Sequence, residues 1–169
     1  MLKCVTKGHY MDKQDGILEE EIAGLGVFVG DFVHSMDPKK RITIPSVWRV
    51  QITAPRSLYV LPDFYYRCLN VFPASAMAVK LEKIRRQSTT DKRAMQFART
   101  LGAASDLVSW DSQGRIRIKD KLLEFAGLKD QVIMVGALDK FELWNPEYKS
   151  QVMKIDQEKL VEAGKYVDF

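Results

Sequence analysis

The stretch FVHSMDPKKRITIP, residues 32–45, is answered by DLVSWDSQGRIRIK, residues 106–119, with matched positions 74 residues apart. Asp37 matches Asp111, Arg41 matches Arg115, Ile42 matches Ile116 and Ile44 matches Ile118. Four identities within eight positions, each flanked by similar residues, are hard to produce by composition alone. They point to a duplicated β-hairpin unit.

Each copy places turn chemistry between two short apolar runs. Asp111 can accept backbone N–H groups at the first turn position, and Gly114 can take the left-handed conformation that closes a type I turn with a bulge. In the first copy Pro38 supplies a fixed φ, while Lys40 stands where the second copy has Gly114. On the same backbone Lys40 costs roughly 1 kcal/mol in a conformation that glycine adopts freely. The turns should be similar, not identical. Beyond each turn the residues alternate: Ile42 and Ile44 oppose Arg41 and Thr43, and Ile116 and Ile118 oppose Arg115, Arg117 and Lys119. One face is therefore core and the other polar, with the stronger basic stripe in copy two.

A chain of 169 residues can form one sizeable domain or two small intertwined halves, and the duplication favours the second. The net charge of +4 is unevenly spread: residues 75–101 hold seven basic and two acidic groups, against nine and eight in 1–74 and ten and twelve in 102–169. The positive excess in the connection suits a polyanion, and it equally describes a solvated helix surface. Cys4 and Cys68 form neither a ligand cluster nor a redox pair, and no long apolar run or leader-like start is seen, so a cytoplasmic protein without a membrane span is expected. His9 and His34 belong to no metal-ligand or nucleophilic pattern, so no catalytic residue, metal or cofactor is assigned.

Taken in order, residues 1–26 read as an N-terminal arm, with a short acidic helix possible over Ile17–Ile22. Strand-like residues follow from Val27 to Met36, and Pro45 leads into a short helix through Val47, Trp48 and Val50 or into a packed connection. Leu58–Leu61 and Cys68–Phe72 form a second strand pair, echoed by Gln131–Val135 and Phe141–Trp144. Each repeat thus reads as a βαββ-like unit, 27–74 and 102–147. Between them lies a basic helical connection, 75–101, with one helix over Ser75–Gln87, a break at Ser88–Asp91 and a second helix over Lys92–Leu101. A short helix around Leu122–Ala126 ends near Gly127, and the tail, 148–169, follows a helix start at Pro146 and contains an interrupting Gly164.

The motifs DPKKR (Asp37–Arg41) and DSQGR (Asp111–Arg115), with GLKDQVIMVGALDKFELW at Gly127–Trp144, are similar in type and order to those of the MraZ family, over roughly residues 27–147. The resemblance implies an α+β fold: duplicated AbrB-like units, as swapped hairpins or an intertwined β-barrel, with peripheral helices. It implies a sequence-specific bacterial transcriptional regulator of cell-division and cell-wall genes, nucleoid-associated, acting as a ring-like homo-oligomer on double-stranded promoter DNA with repeated elements. The family's motif arginines carry over to Arg41 and Arg115 and their paired acids to Asp37 and Asp111. Two departures, Lys40 in place of the usual glycine and Lys119 in place of a common proline, question equal affinity in the two halves.

The physical case is independent of the resemblance. A guanidinium at a groove edge can pair with guanine O6 and N7, which suits Arg41 and Arg115, while Lys39, Lys40, Arg117 and Lys119 can meet phosphates. Asp37, Asp111 and Gly114 would brace the turns. Three other readings compete: a surface Asp–Arg pair that only steadies each turn, a non-enzymatic module that assembles with protein, and, more weakly, a hydrolytic enzyme.

Overall fold

The computed structural model describes residues 27–52, 54–154 and 156–168. The expected N-terminal arm, with Cys4, His9 and Ile17–Ile22, lies outside the described residues. The strands are β1 (Asp31–Ser35), β2 (Arg41–Thr43), β3 (Ser57–Pro62), β4 (Cys68–Pro73), β5 (Asp106–Ser109), β6 (Arg115–Arg117), β7 (Gln131–Gly136) and β8 (Phe141–Trp144). The helices are α1 (Ser46–Arg49), α2 (Ala74–Ser88), α3 (Lys92–Ala104), α4 (Asp120–Ala126), α5 (Pro146–Val152) and α6 (Gln157–Tyr166). The fold is α+β: a six-stranded antiparallel sheet in the order β1-β7-β8-β4-β3-β5, a separate two-stranded ribbon β2-β6, and helices at the periphery.

Turn chemistry and alternation locate the strands, but the strands flanking each turn do not form a ladder with one another. β2 pairs with β6, Ile42 opposite Ile116, and β4 pairs with β8, Asn70 opposite Glu142. β1 pairs with β7 (Phe32 opposite Met134), and β5 pairs with β3 (Asp106 opposite Val60). Under the 74-residue offset Phe32 maps onto Asp106 and Val60 onto Met134, so the last two pairings are the same register seen from either half.

The inward faces make one core. Ile42, Ile44, Ile116 and Ile118 are all at most 1% exposed, and they join Phe28, Trp48, Phe141 and the inward residues of the sheet. Trp48 holds α1 to this core, its ring 5.1 Å from that of Phe141 and 5.7 Å from that of Phe28. A second, smaller cluster of Leu61, Phe72, Met77 and Leu101 seats α2 and α3 on the sheet, leaving their basic residues Lys83, Arg85, Arg86 and Arg99 exposed.

The chain before β1 is strapped across β7. Phe28 and Leu138 exchange backbone hydrogen bonds of 2.8 and 3.1 Å, and the strap passes so close over Gly136 that a Cβ there would stand 2.6 Å from the Val29 nitrogen and nearer still to the Phe28 carbonyl oxygen. Glycine is the residue that admits such a backbone approach.

Helix ends follow local chemistry. The Arg93 N–H donates to the Asp91 carboxylate at the start of α3, and the Glu147 N–H donates to Asn145 Oδ1 ahead of Pro146 in α5. The tail departs from expectation in one respect. Gly164 does not interrupt the last helix; the break falls before Asp156, whose carboxylate accepts from the N–H groups of Glu158 and Lys159 and starts α6 afresh. One glycine costs a helix only about 1 kcal/mol, which a capping aspartate offsets.

Candidate nucleic-acid interface

The two turns are built alike, bond for bond. In turn one the Lys40 N–H donates to the Asp37 carbonyl at 2.9 Å, and the Asp37 N–H donates to the Arg41 carbonyl at 2.9 Å. In turn two the Gly114 N–H donates to the Asp111 carbonyl at 2.9 Å, and the Asp111 N–H donates to the Arg115 carbonyl at 3.0 Å. One oxygen of each aspartate caps its loop: Asp37 Oδ1 accepts from the N–H groups of Lys39 and Arg41, and Asp111 Oδ1 from those of Gln113 and Arg115. Lys40 adopts φ 60° and Gly114 φ 78°. The lysine therefore does take the left-handed conformation, and the turns differ in side chains far more than in backbone.

The second oxygen of each aspartate holds the arginine. Arg41 Nε and Nη2 each lie 2.7 Å from Asp37 Oδ2, and Arg115 Nε and Nη2 lie 2.8 and 2.7 Å from Asp111 Oδ2. Arg41 Nη1 also stands 3.8 Å from Asp111 Oδ2, linking the two turns across the ribbon. Both arginine side chains remain 26% exposed, and Nε and Nη2 of each are committed to aspartate.

These contacts depress both carboxyls. The Arg41 side chain, with the loop N–H groups, holds Asp37 below the usual carboxylate range, and Arg115 with its own N–H takes Asp111 to about 2. Because the folded-state pKa lies below the unfolded one, the stabilisation is present above the ordinary aspartate range and is lost as pH falls through the folded value. A carbon-detected NMR titration should find Asp111 ionised at pH 3 and protonating only near 2. A midpoint near 4 would show that the arginine is not bound in solution.

Strand pairing redistributes the remaining cations. Arg41 sits opposite Arg117 and Thr43 opposite Arg115, all on the outward face because the intervening Ile42 and Ile116 point inward. Arg117 therefore does not strengthen its own turn; it lines one open groove with Pro38, Lys39, Lys40, Arg41 and the acidic Asp120 at turn one. The basic stripe assigned by sequence to copy two is thus divided, with its stronger part at turn one. Lys119 goes elsewhere, its Nζ 2.7 Å from Asp106 Oδ1. Gly114 does more than permit a turn: the guanidinium of Arg49, at the end of α1, lies over it where any side chain would begin. No local sequence signal marks Arg49, since its position depends on α1 meeting the turn of the other repeat.

The sequence has relatives among known proteins. The family model described as "MraZ protein, putative antitoxin-like" matches residues 102–165. A protein of Thermomicrobium roseum named "Transcriptional regulator MraZ" is 36% identical over 121 residues, covering 72% of this chain and 83% of that protein. The chain belongs to the MraZ family. MraZ proteins of Carboxydothermus hydrogenoformans and Pediococcus pentosaceus, each also named a transcriptional regulator, are 31% identical over 144 residues, covering 85% of this chain and 99% of theirs. The named MraZ relatives are thus all called regulators of transcription.

Among the described residues of this MraZ-family chain, no three or more His, Cys, Asp and Glu side chains converge as a metal site. Cys68 is buried in β4, and burial, aided by Glu142 and Asp63, pushes its thiol up to about 12, the opposite of what a nucleophile needs. His34 sits partly buried on β1 opposite Val132, and desolvation lowers its pKa. No helix among the described residues is long and apolar enough to cross a membrane.

Proposed function

We propose that this MraZ-family transcriptional regulator grips repeated promoter elements of duplex DNA through the outward face of the β2-β6 ribbon. Arg41 and Arg115 read base edges, and Lys39, Lys40 and Arg117 hold phosphates. Asp37, Asp111 and Gly114 fix the turns that aim them. The observation carrying this reading is that strand pairing puts Arg41, Arg115 and Arg117, from both repeats, on one polar face, with Lys39 and Lys40 bordering the groove that Arg41 and Arg117 line. A two-stranded ribbon is of a size to enter the major groove, and a guanidinium edge matches guanine O6 and N7 there. Lys119, already paired with Asp106, is assigned the weakest role.

On this reading the repeats 27–74 and 102–147 form an AbrB-like swapped-hairpin unit joined by the basic helices. Its support is the exchange of β1 and β5 between halves. The unit works within a ring-like homo-oligomer on DNA near cell-division and cell-wall genes, in the nucleoid. Supporting assembly, β1 and β5 lie at the two edges of the sheet, and their equivalent residues Val33 and Leu107 are 66% and 56% exposed. Several ribbons on one particle would engage spaced elements at high effective concentration.

The test is competition between duplex carrying spaced repeats of the protein's own upstream region and scrambled duplex of equal length, across a salt series. Preference for the repeats that persists as salt rises is expected. Equal affinity for both at every salt concentration would reduce the reading to electrostatic attraction.

A further inference from the structure

The two ends of the ribbon are unequally charged. Lys39, Lys40 and Arg117 at turn one have as counterparts, by the 74-residue offset, Gln113, Gly114 and Thr43 at turn two, none of them cationic. Turn two is nonetheless not bare. The guanidinium of Arg49 covers it, and a Cβ on Gly114 would stand 2.5 Å from Arg49 Cζ and Nη1 and 2.6 Å from Nε. The residue 74 positions beyond Arg49 is Leu123, buried in the core, so turn one receives no such neighbour from the other repeat.

Arg49 differs from the motif arginines in its partners. Arg41 and Arg115 are each clamped by an aspartate, whereas Arg49 has no ion-pair partner among the described residues. Its Nε is buried and makes no hydrogen bond there. A guanidinium cannot shed its charge, so holding one half-buried and unpaired is unfavourable unless an anion reaches its open edge. The neighbouring Trp48, 1% exposed, fixes the backbone from which it extends.

We propose that Arg49 is a DNA-backbone contact of the second turn, its terminal nitrogens binding a phosphate in place of the cations that this turn lacks. The inference rests on the DNA reading above and adds a residue to it. At turn one the charge is carried by Lys40 itself; at turn two glycine clears the same place, and the charge is supplied from α1. A guanidinium meets a phosphate through paired, charge-assisted hydrogen bonds. Such a contact positions Arg115 against a base without itself reading sequence.

The experiment measures affinity for repeat-bearing and scrambled duplex across a salt series for the full chain, Arg49→Gln, Arg49→Met and Arg49→Lys, with thermal unfolding recorded for each. Loss of one phosphate contact per bound ribbon should lower the slope of log K against log salt by about 0.9 for each ribbon engaged, in Arg49→Gln and Arg49→Met. The advantage of wild type should then shrink roughly threefold per bound ribbon between 50 and 200 mM salt. Arg49→Lys should keep the wild-type slope. A lowered Tm with unchanged slope in Arg49→Met, which retains the apolar stem over Gly114, would show a purely structural cover and overturn the proposal. If wild type itself shows no salt-dependent binding to duplex, the DNA reading fails first, and this inference with it.

Discussion

Replacing Arg41 and Arg115 together by alanine should lower affinity for the repeat-bearing duplex by about 10²–10⁴-fold at fixed salt, since each paired guanidinium–guanine contact contributes about 1–3 kcal/mol of discrimination. Affinity for scrambled duplex should fall much less, because the phosphate grip of Lys39, Lys40 and Arg117 remains. The folded state should survive the change. In each turn the aspartate still accepts two backbone N–H groups through Oδ1 and the turn keeps its own backbone bonds, so only the Oδ2 contacts are removed. Electrophoretic or anisotropy titrations on both duplexes, beside sedimentation at several protein concentrations, measure the two effects separately. Unchanged specific affinity with intact assembly would remove both arginines from the interface and leave them as turn braces. Arginine-to-lysine variants sharpen the distinction, since lysine keeps the charge but cannot pair with O6 and N7 from a rigid fork.

The second large effect concerns stability. Gly136→Ala should destabilise the fold by about 2–3 kcal/mol, the upper part of the range for overpacking, because the atoms its methyl would meet are backbone atoms of Phe28 and Val29 that no rotamer change can move. The strap must lift, and with it Phe28, which is fully buried against Trp48 and Phe141. Gly102→Ala is the matched control: it lies within α3 with nothing inside 4 Å of its Cβ position, so alanine should stabilise by roughly 0.5–1 kcal/mol. Urea midpoints for both variants, with the slope unchanged from wild type, decide the matter. A Gly136→Ala protein as stable as wild type would mean that the strap is not seated on β7 in solution.

Much of this architecture was legible in the residues because it is set locally. An aspartate four positions before an arginine, with a residue able to take positive φ between them, specifies a turn that caps itself, and both turns are built that way. Proline before an apolar helical stripe marked α5, and two-residue alternation identified which side of β2 and β6 faces inward. Strand partners were another matter. Alternation says which way a side chain points but not which strand lies alongside, so DPKKR and DSQGR marked a duplicated hairpin unit in intertwined halves without saying that β2 would lie against β6. The same blindness misplaced Arg117, whose neighbours Lys39 and Lys40 are 77 or more positions away in sequence. It hid Arg49 altogether, because nothing near Arg49 announces that α1 will lean on Gly114. Lys119 is a different case: Asp106, thirteen positions earlier, pairs with it, and charge counting does not say that it will.

The crossing of β2 with β6 has a consequence for how such a molecule can change over time. Duplicated segments usually drift apart because each can vary while its twin keeps working. Here the surroundings of each turn are assembled from both copies, Arg117 lining the groove at the first and Arg49 covering the second, so a substitution in one copy is felt at the far copy's turn. A severed half would bring only part of what surrounds either turn.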